Sequence, residues 1–165
     1  MTLTPEEPYS VAKGYVQSAY AMMANPYRLQ LPDDTTFFMA FHMLCGFAVE
    51  LYLKAYLVHR GFSERHLKDL GHHLLKIREL CVSEGLHDSG ADMLVGLLAR
   101  HHKGLNYRYM KRETSYQTES LRTIFSAFSS LDRTVDGAIG ASAARGKAVG
   151  GRWDFPLDGS WRFPE

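Results

Sequence analysis

The sequence predicts an all-helical bundle of about five helices followed by an extended C-terminal arm. Three observations carry that reading. Apolar residues recur at spacings of three and four along most of the chain, and no alternating run reaches a useful strand length. Phe37 to Val58 is almost continuously apolar, as a helix enclosed by others must be. The 165 residues suit one domain. Residues 1–145 would form the bundle and residues 146–165, rich in Gly, Trp, Phe and Pro, the arm.

A first helix is expected from about Pro8 to Ala24, with Val11, Tyr15, Ala19, Met22 and Met23 on its apolar stripe. Asn25-Pro26 ends it, because a residue before proline avoids the helical region. The second helix opens at Asp33, Asp34 and Thr35, residues that cap well and whose negative charge suits a helix N-terminus. It runs to about Arg60, with Gly61 as the stop. His42, Gly46, Glu50 and Lys54 interrupt its apolar surface at intervals of four and form one narrow stripe. Glu50 stands N-terminal to Lys54, the favourable order for an i,i+4 ion pair. These charges argue against a membrane span, since each costs about 2.5–3.5 kcal/mol near a bilayer centre; a core helix explains the run better.

Ser63 to Gly71 reads as a polar connection with room for one helical turn. A third helix is expected over His72 to Glu84 and a fourth from Ser89 to His102 or Lys103, with Ala91, Leu94, Val95 and Leu98 inward. After the basic, aromatic loop Leu105–Gln117, a fifth helix is expected over Thr118 to Ala144. Its seam of Leu121, Ile124, Phe128, Leu131, Val135 and Ala138 faces the bundle, a second subunit, or both. In the arm, Trp153-Asp154-Phe155-Pro156 is echoed by Trp161-Arg162-Phe163-Pro164. Four large aromatics are costly to expose, so the arm docks either on its own domain or on a partner.

Composition narrows the function. A net charge of +1 confines any nucleic-acid surface to a local patch. The N-terminus lacks a basic and an apolar region, so no signal peptide is expected and the cytoplasm is the default location. Cys45 and Cys81 read as core residues without a CxxC motif. No P-loop, GxGxxG or GxSxG occurs. Adjacent helical residues point about 100° apart, so neither His72-His73 nor His101-His102 chelates a metal from one face. HExxH is absent, and neither a metal nor a cofactor is predicted.

The strongest local signal is Arg100 to Arg112, with five Lys or Arg, two His, two Tyr and no acid. Such cations neutralise phosphates and such rings stack on bases; the plainer reading is a solvated loop anchored by its tyrosines. A second basic stretch spans His59 to Arg78. Whether the two share a surface is not legible in the sequence.

Three segments together resemble the HEPN domain family of small helical bundles. Ala48 to Leu57 is similar to that family's Glu-x-x-x-Lys-Ala-x-Leu helix. Gly71-His72-His73-Leu74-Leu75-Lys76-Ile77 is similar to its Gly-His-x-Leu-x-x-Leu segment, and Asn106-Tyr107-Arg108-Tyr109 to the Arg-Tyr segment before its last long helix. The resemblance covers about residues 35–140. It implies a bundle paired as a homodimer that binds or cleaves RNA or nucleotides, often in a toxin–antitoxin or defence system with a cognate antitoxin or nucleotidyltransferase. Active members are metal-independent ribonucleases with an Arg-x4–6-His motif near the late helix. Here Arg108 takes the arginine position, but no histidine follows His102. A binding role therefore outweighs a catalytic one. The expected ligand-binding residues are Arg108, Tyr109, Tyr107, Lys103, Arg112, His72, Glu50 and Lys54. The alternatives are a ribonuclease toxin drawing its groups from Arg108, His72, His101 and His102, and a protein-interaction module acting as a homodimer.

Overall fold

A computed structural model describes residues 2–109, 114–156 and 159–165. Among the described residues the chain is all-helical, with α1 Glu6–Ala24, α2 Thr35–His59, α3 Glu64–Leu70, α4 Leu74–Ser83, α5 Ser89–His102 and α6 Leu121–Ile139. Single 3-10 turns lie at Pro26–Gln30, Asn106–Arg108 and Ala143–Arg145.

The long apolar helix is central, as expected: α2 packs against α1, α4, α5 and α6. It is long and apolar enough to cross a membrane, with a mean hydropathy of 1.5, but its apolar sides are used inside the bundle. Phe41, Cys45, Val49, Tyr52, Leu53 and Leu57 are buried in the common core. Both cysteines are free and buried, and burial pushes the Cys81 thiol up to about 12.

Four details differ from expectation. The sixth helix is α3, a full element where one turn was anticipated, capped by the Ser63 side chain accepting from His66 N–H. The buried face of α1 is Tyr9, Ala12, Val16, Ala19 and Met23; it shares Ala19 and Met23 with the predicted stripe, but in the first half Ala12 and Val16 take the places expected for Val11 and Tyr15, and Val11 is exposed. Tyr9 meets Tyr52 of α2 edge-on and Val16 is buried, whereas Tyr15 packs on Phe47 and is only partly buried. The last helix is shorter than expected at both ends. Ser120 caps it through Thr123 N–H, and Gly140, with φ 73°, takes the left-handed conformation that stops it. Its seam from Leu121 to Val135 is buried within this one chain, while Ala138 is exposed.

The fourth difference lies at the start of α2. Asp34 stands at the N-cap position but its side chain caps no N–H of α2; Asp33 Oδ1 accepts from Thr35 N–H instead. Asp34 is fully buried and accepts from Arg28 at 2.8 and 2.6 Å and from the Arg162 guanidinium at 3.0 Å. Burial alone would raise its pKa; the two guanidiniums hold it below the usual carboxylate range. Arg162 belongs to the arm, so this ion cluster ties the arm back onto its own bundle.

The rest of the arm follows the same course. Trp153 N–H donates to Ser129 Oγ, Tyr20 Oη–H to the Asp154 carbonyl, and Trp161 Nε1–H to the Glu119 carbonyl. Phe155 stacks on Phe125, and Trp161 stacks on His42 at 5.4 Å. Of the two dockings open at the outset, the arm takes the one on its own domain.

His42 is thereby sealed beneath Trp161, with Tyr107 on it at 5.6 Å. One ring nitrogen meets the Phe38 carbonyl and the other Thr118 Oγ1. Burial lowers its pKa to about 4. Protonation is thus easier in the unfolded chain, where the usual value is about 6.5. The neutral ring's contribution is present above pH 6.5 and is lost as the pH falls toward 4, a total on the order of 3 kcal/mol. Urea unfolding at pH 7 and pH 5 should find the chain about 2 kcal/mol less stable at pH 5 from this group. His42→Asn should flatten that difference.

Candidate functional site

The interior of α2 carries a carboxylate, Glu50, that is only 4% exposed. A buried carboxylate requires partners, and it has three. Lys54, one turn on, donates to Oε1 at 2.7 Å and also to the Gly71 carbonyl at 2.9 Å. His72 Nδ1 lies 2.8 Å from Oε2, and His102 Nε2 lies 2.7 Å from the same oxygen. Burial would raise the Glu50 pKa, but the hydrogen bonds from His102, Lys54 and His72 outweigh it and bring it to about 2. The group is therefore ionised at neutral pH, and both imidazoles donate to it.

Local structure puts each partner in place. Gly71 ends α3 with φ 55° and ψ −133°, a backbone shape that side chains disfavour. That turn aims its carbonyl at Lys54 and delivers His72 to the end of α2's polar stripe. His102 is in the last turn of α5 and lies over Gly46, where a Cβ would overlap the imidazole. The stripe seen in the sequence is thus one device: Gly46 makes room, Glu50 accepts and Lys54 fixes the second oxygen. Phe47 meets both imidazoles edge-on, at 5.7 Å for His72 and 5.0 Å for His102. His102 is 1% exposed, while the His72 side chain is 41% exposed. Its Nε2 is the edge of the cluster that a ligand can reach.

Of the residues expected at a site, the structure brings together Glu50, Lys54, His72 and His102. Lys103 follows His102 at the end of α5 and is exposed, as are Arg100, Arg108 and Tyr109. Among the described residues neither Arg108 nor Tyr109 joins a hydrogen bond or ion pair with Glu50, Lys54 or His72; they sit on the 3-10 turn beyond His102. Tyr107 is buried, its ring packed against His42 and His101, so protein side chains occupy it. His101 turns away from His102 and meets the Ser115 carbonyl. Arg112 lies outside the described residues.

His101 and His102 point apart as expected, whereas His72 and His73 precede α4 and do not lie on it. The fold takes one member of each pair and sets both on one oxygen. The four-residue spacing from Gly46 to Glu50 was the available signal: a small residue one turn before a buried acid marks where another side chain enters. Glu50, His72 and His102 each offer one ligand atom, all within 4.8 Å of one another. No family model, curated protein or solved structure matches the chain.

Gly46→Ala should cost about 1–3 kcal/mol by overpacking and drive His102 from Glu50. Gly96→Ala, on an open face of α5, should instead gain about 0.5–1 kcal/mol. Urea titration of the two variants checks the contrast.

Proposed function

We propose that this chain is a HEPN-like bundle that binds RNA or a nucleotide through the basic edge around His72. The observation that carries this reading is the double hydrogen bond at Glu50 Oε2, which joins His72 of the basic stretch His59–Arg78 to His102 of the stretch Arg100–Arg112. The two basic segments thereby each place one histidine on the same carboxylate oxygen, which supports a shared edge. Lys76, Arg100, Lys103 and Arg108 are exposed on those segments, where guanidinium and ammonium groups can neutralise phosphates. Tyr109 is 70% exposed, so its ring is free to stack on a base. Glu50 and Lys54 serve as the frame that orients His72, and Tyr107 anchors the loop that carries Arg108. The order of the three family-like segments supports the same assignment.

Fluorescence anisotropy with a single-stranded RNA, in the presence of a chelator, should give binding that weakens with salt. Arg108→Ala and His72→Ala should each weaken it about tenfold, and the loss of one phosphate contact should lower the salt slope by about 0.7. Unchanged affinity in both variants rejects the reading.

One observation favours cleavage as a second reading. With Nδ1 committed to a buried carboxylate, His72 presents Nε2 outward, the arrangement of a carboxylate-oriented general base. It would take the 2′-hydroxyl proton as that oxygen attacks phosphorus and the 5′-oxygen leaves. Incubation without metal should then yield 2′,3′-cyclic phosphate ends, lost in His72→Ala; intact RNA at saturating wild-type protein excludes it.

A further inference from the structure

We propose that Glu50, His72 and His102 form a binding site for a first-row divalent transition metal ion. The RNA reading neither requires this site nor depends on it. The donor atoms are His72 Nδ1, His102 Nε2 and Glu50 Oε2, gathered within 4.8 Å. The two nitrogen-to-oxygen separations are 2.8 and 2.7 Å. With metal–ligand bonds of about 2.0–2.2 Å, such separations correspond to angles of about 80–85° at the ion. Two imidazoles and one carboxylate would then be held by the same ion, with the remaining positions open.

Four features of the surroundings fit an ion. Lys54 holds Oε1, leaving Oε2 as a single-oxygen ligand whose orientation is fixed by an outer hydrogen bond. Gly46 lets the His102 ring pack directly against α2, close to Glu50. Phe47 packs edge-on against both imidazoles and restricts their rotation. Glu50 is only 4% exposed, so its carboxylate is held in place by protein groups and not by bulk water.

On binding, each imidazole gives up the proton it donates to Glu50. A neutral ring carries its hydrogen on the opposite nitrogen, which for His72 is the partly exposed Nε2. The nitrogen-rich donor set suits Zn2+, Co2+, Ni2+ or Fe2+ and disfavours Mg2+ and Ca2+, which prefer all-oxygen ligands. The open positions lie on the His72 side, where a water or an anionic oxygen would complete the shell. Combined with Lys54, a bound dication would leave this edge more positive than the protein alone.

The test uses the full chain, stripped with a chelator and titrated with Co2+ while visible absorption is recorded. One equivalent should develop the intense bands of four- or five-coordinate Co2+, or at six-coordination a saturable, weaker shift away from the aqueous spectrum. His72→Ala, altered at a half-exposed position, should lower the affinity more than about 100-fold, beyond the 10–100-fold cost of losing an outer-shell partner. His66→Ala, at an exposed position on α3, should bind as the wild type does. In the wild type, long-range 1H–15N spectra with Zn2+ should move His72 Nδ1 and His102 Nε2 together, a readout that does not depend on any variant folding. A spectrum that stays that of aqueous Co2+, a signal that survives His72→Ala, or Zn2+ shifts confined to other histidines each overturns the site. Chelator-insensitive RNA binding leaves it standing, because the two assays are read separately.

Discussion

A carboxylate buried in the middle of the most apolar helix is the constraint around which this end of the bundle is arranged. Glu50 has too little exposure for water to solvate it, and a lone ion there would be strongly destabilising. Lys54, His72 and His102 supply the compensation. Each comes with a structural condition: a helical spacing of four for Lys54, a left-handed glycine before His72, and a side-chain-free position opposite His102. The junction of α2 with α5 and with the α3–α4 turn is thus fixed by polar geometry as much as by apolar contact.

A second ion cluster closes the opposite end of α2. Asp34 is 0% exposed and holds two guanidiniums, one from the turn after α1 and one from the arm. Replacing such a cluster with apolar groups often leaves stability unchanged, whereas removing one member strands a buried charge. Its use here is better described as specificity: it selects one docking for an arm whose described residues form no helix or strand beyond Gly146. The aromatic rings of Trp153, Phe155 and Trp161 then add apolar contact along the path that the ions define.

The fold was largely legible. Continuous apolarity identified α2, and three–four spacing identified α5 and α6. Helix ends marked by Gly61, Gly85 and Asn25-Pro26 lie within a residue or two of the observed limits. The first half of α1 departs from the expected stripe because Ala12, buried at 0%, carries little hydrophobic signal beside Val11 and Tyr15. The site was half legible. Glu50, Lys54 and His72 could be grouped from one stripe and one motif, since both are local. The joining of His102 to them spans 52 residues, and nothing local encodes such a contact except the glycine that admits it. Arg108 and Tyr109 were grouped with the cluster by resemblance; the structure places them on the adjoining turn, exposed and one step removed.

The arm's attachment has a consequence for biosynthesis. Arg162 meets Asp34 across 128 residues of sequence. At about 5–20 residues per second, the ribosome makes the arginine roughly 6–25 s after the aspartate. For that interval the acid, and the imidazole of His42 further along α2 that Trp161 covers, have no cover from the arm. The nascent bundle must keep this end from aggregating, through its own partial packing or through a chaperone, until translation delivers the lid.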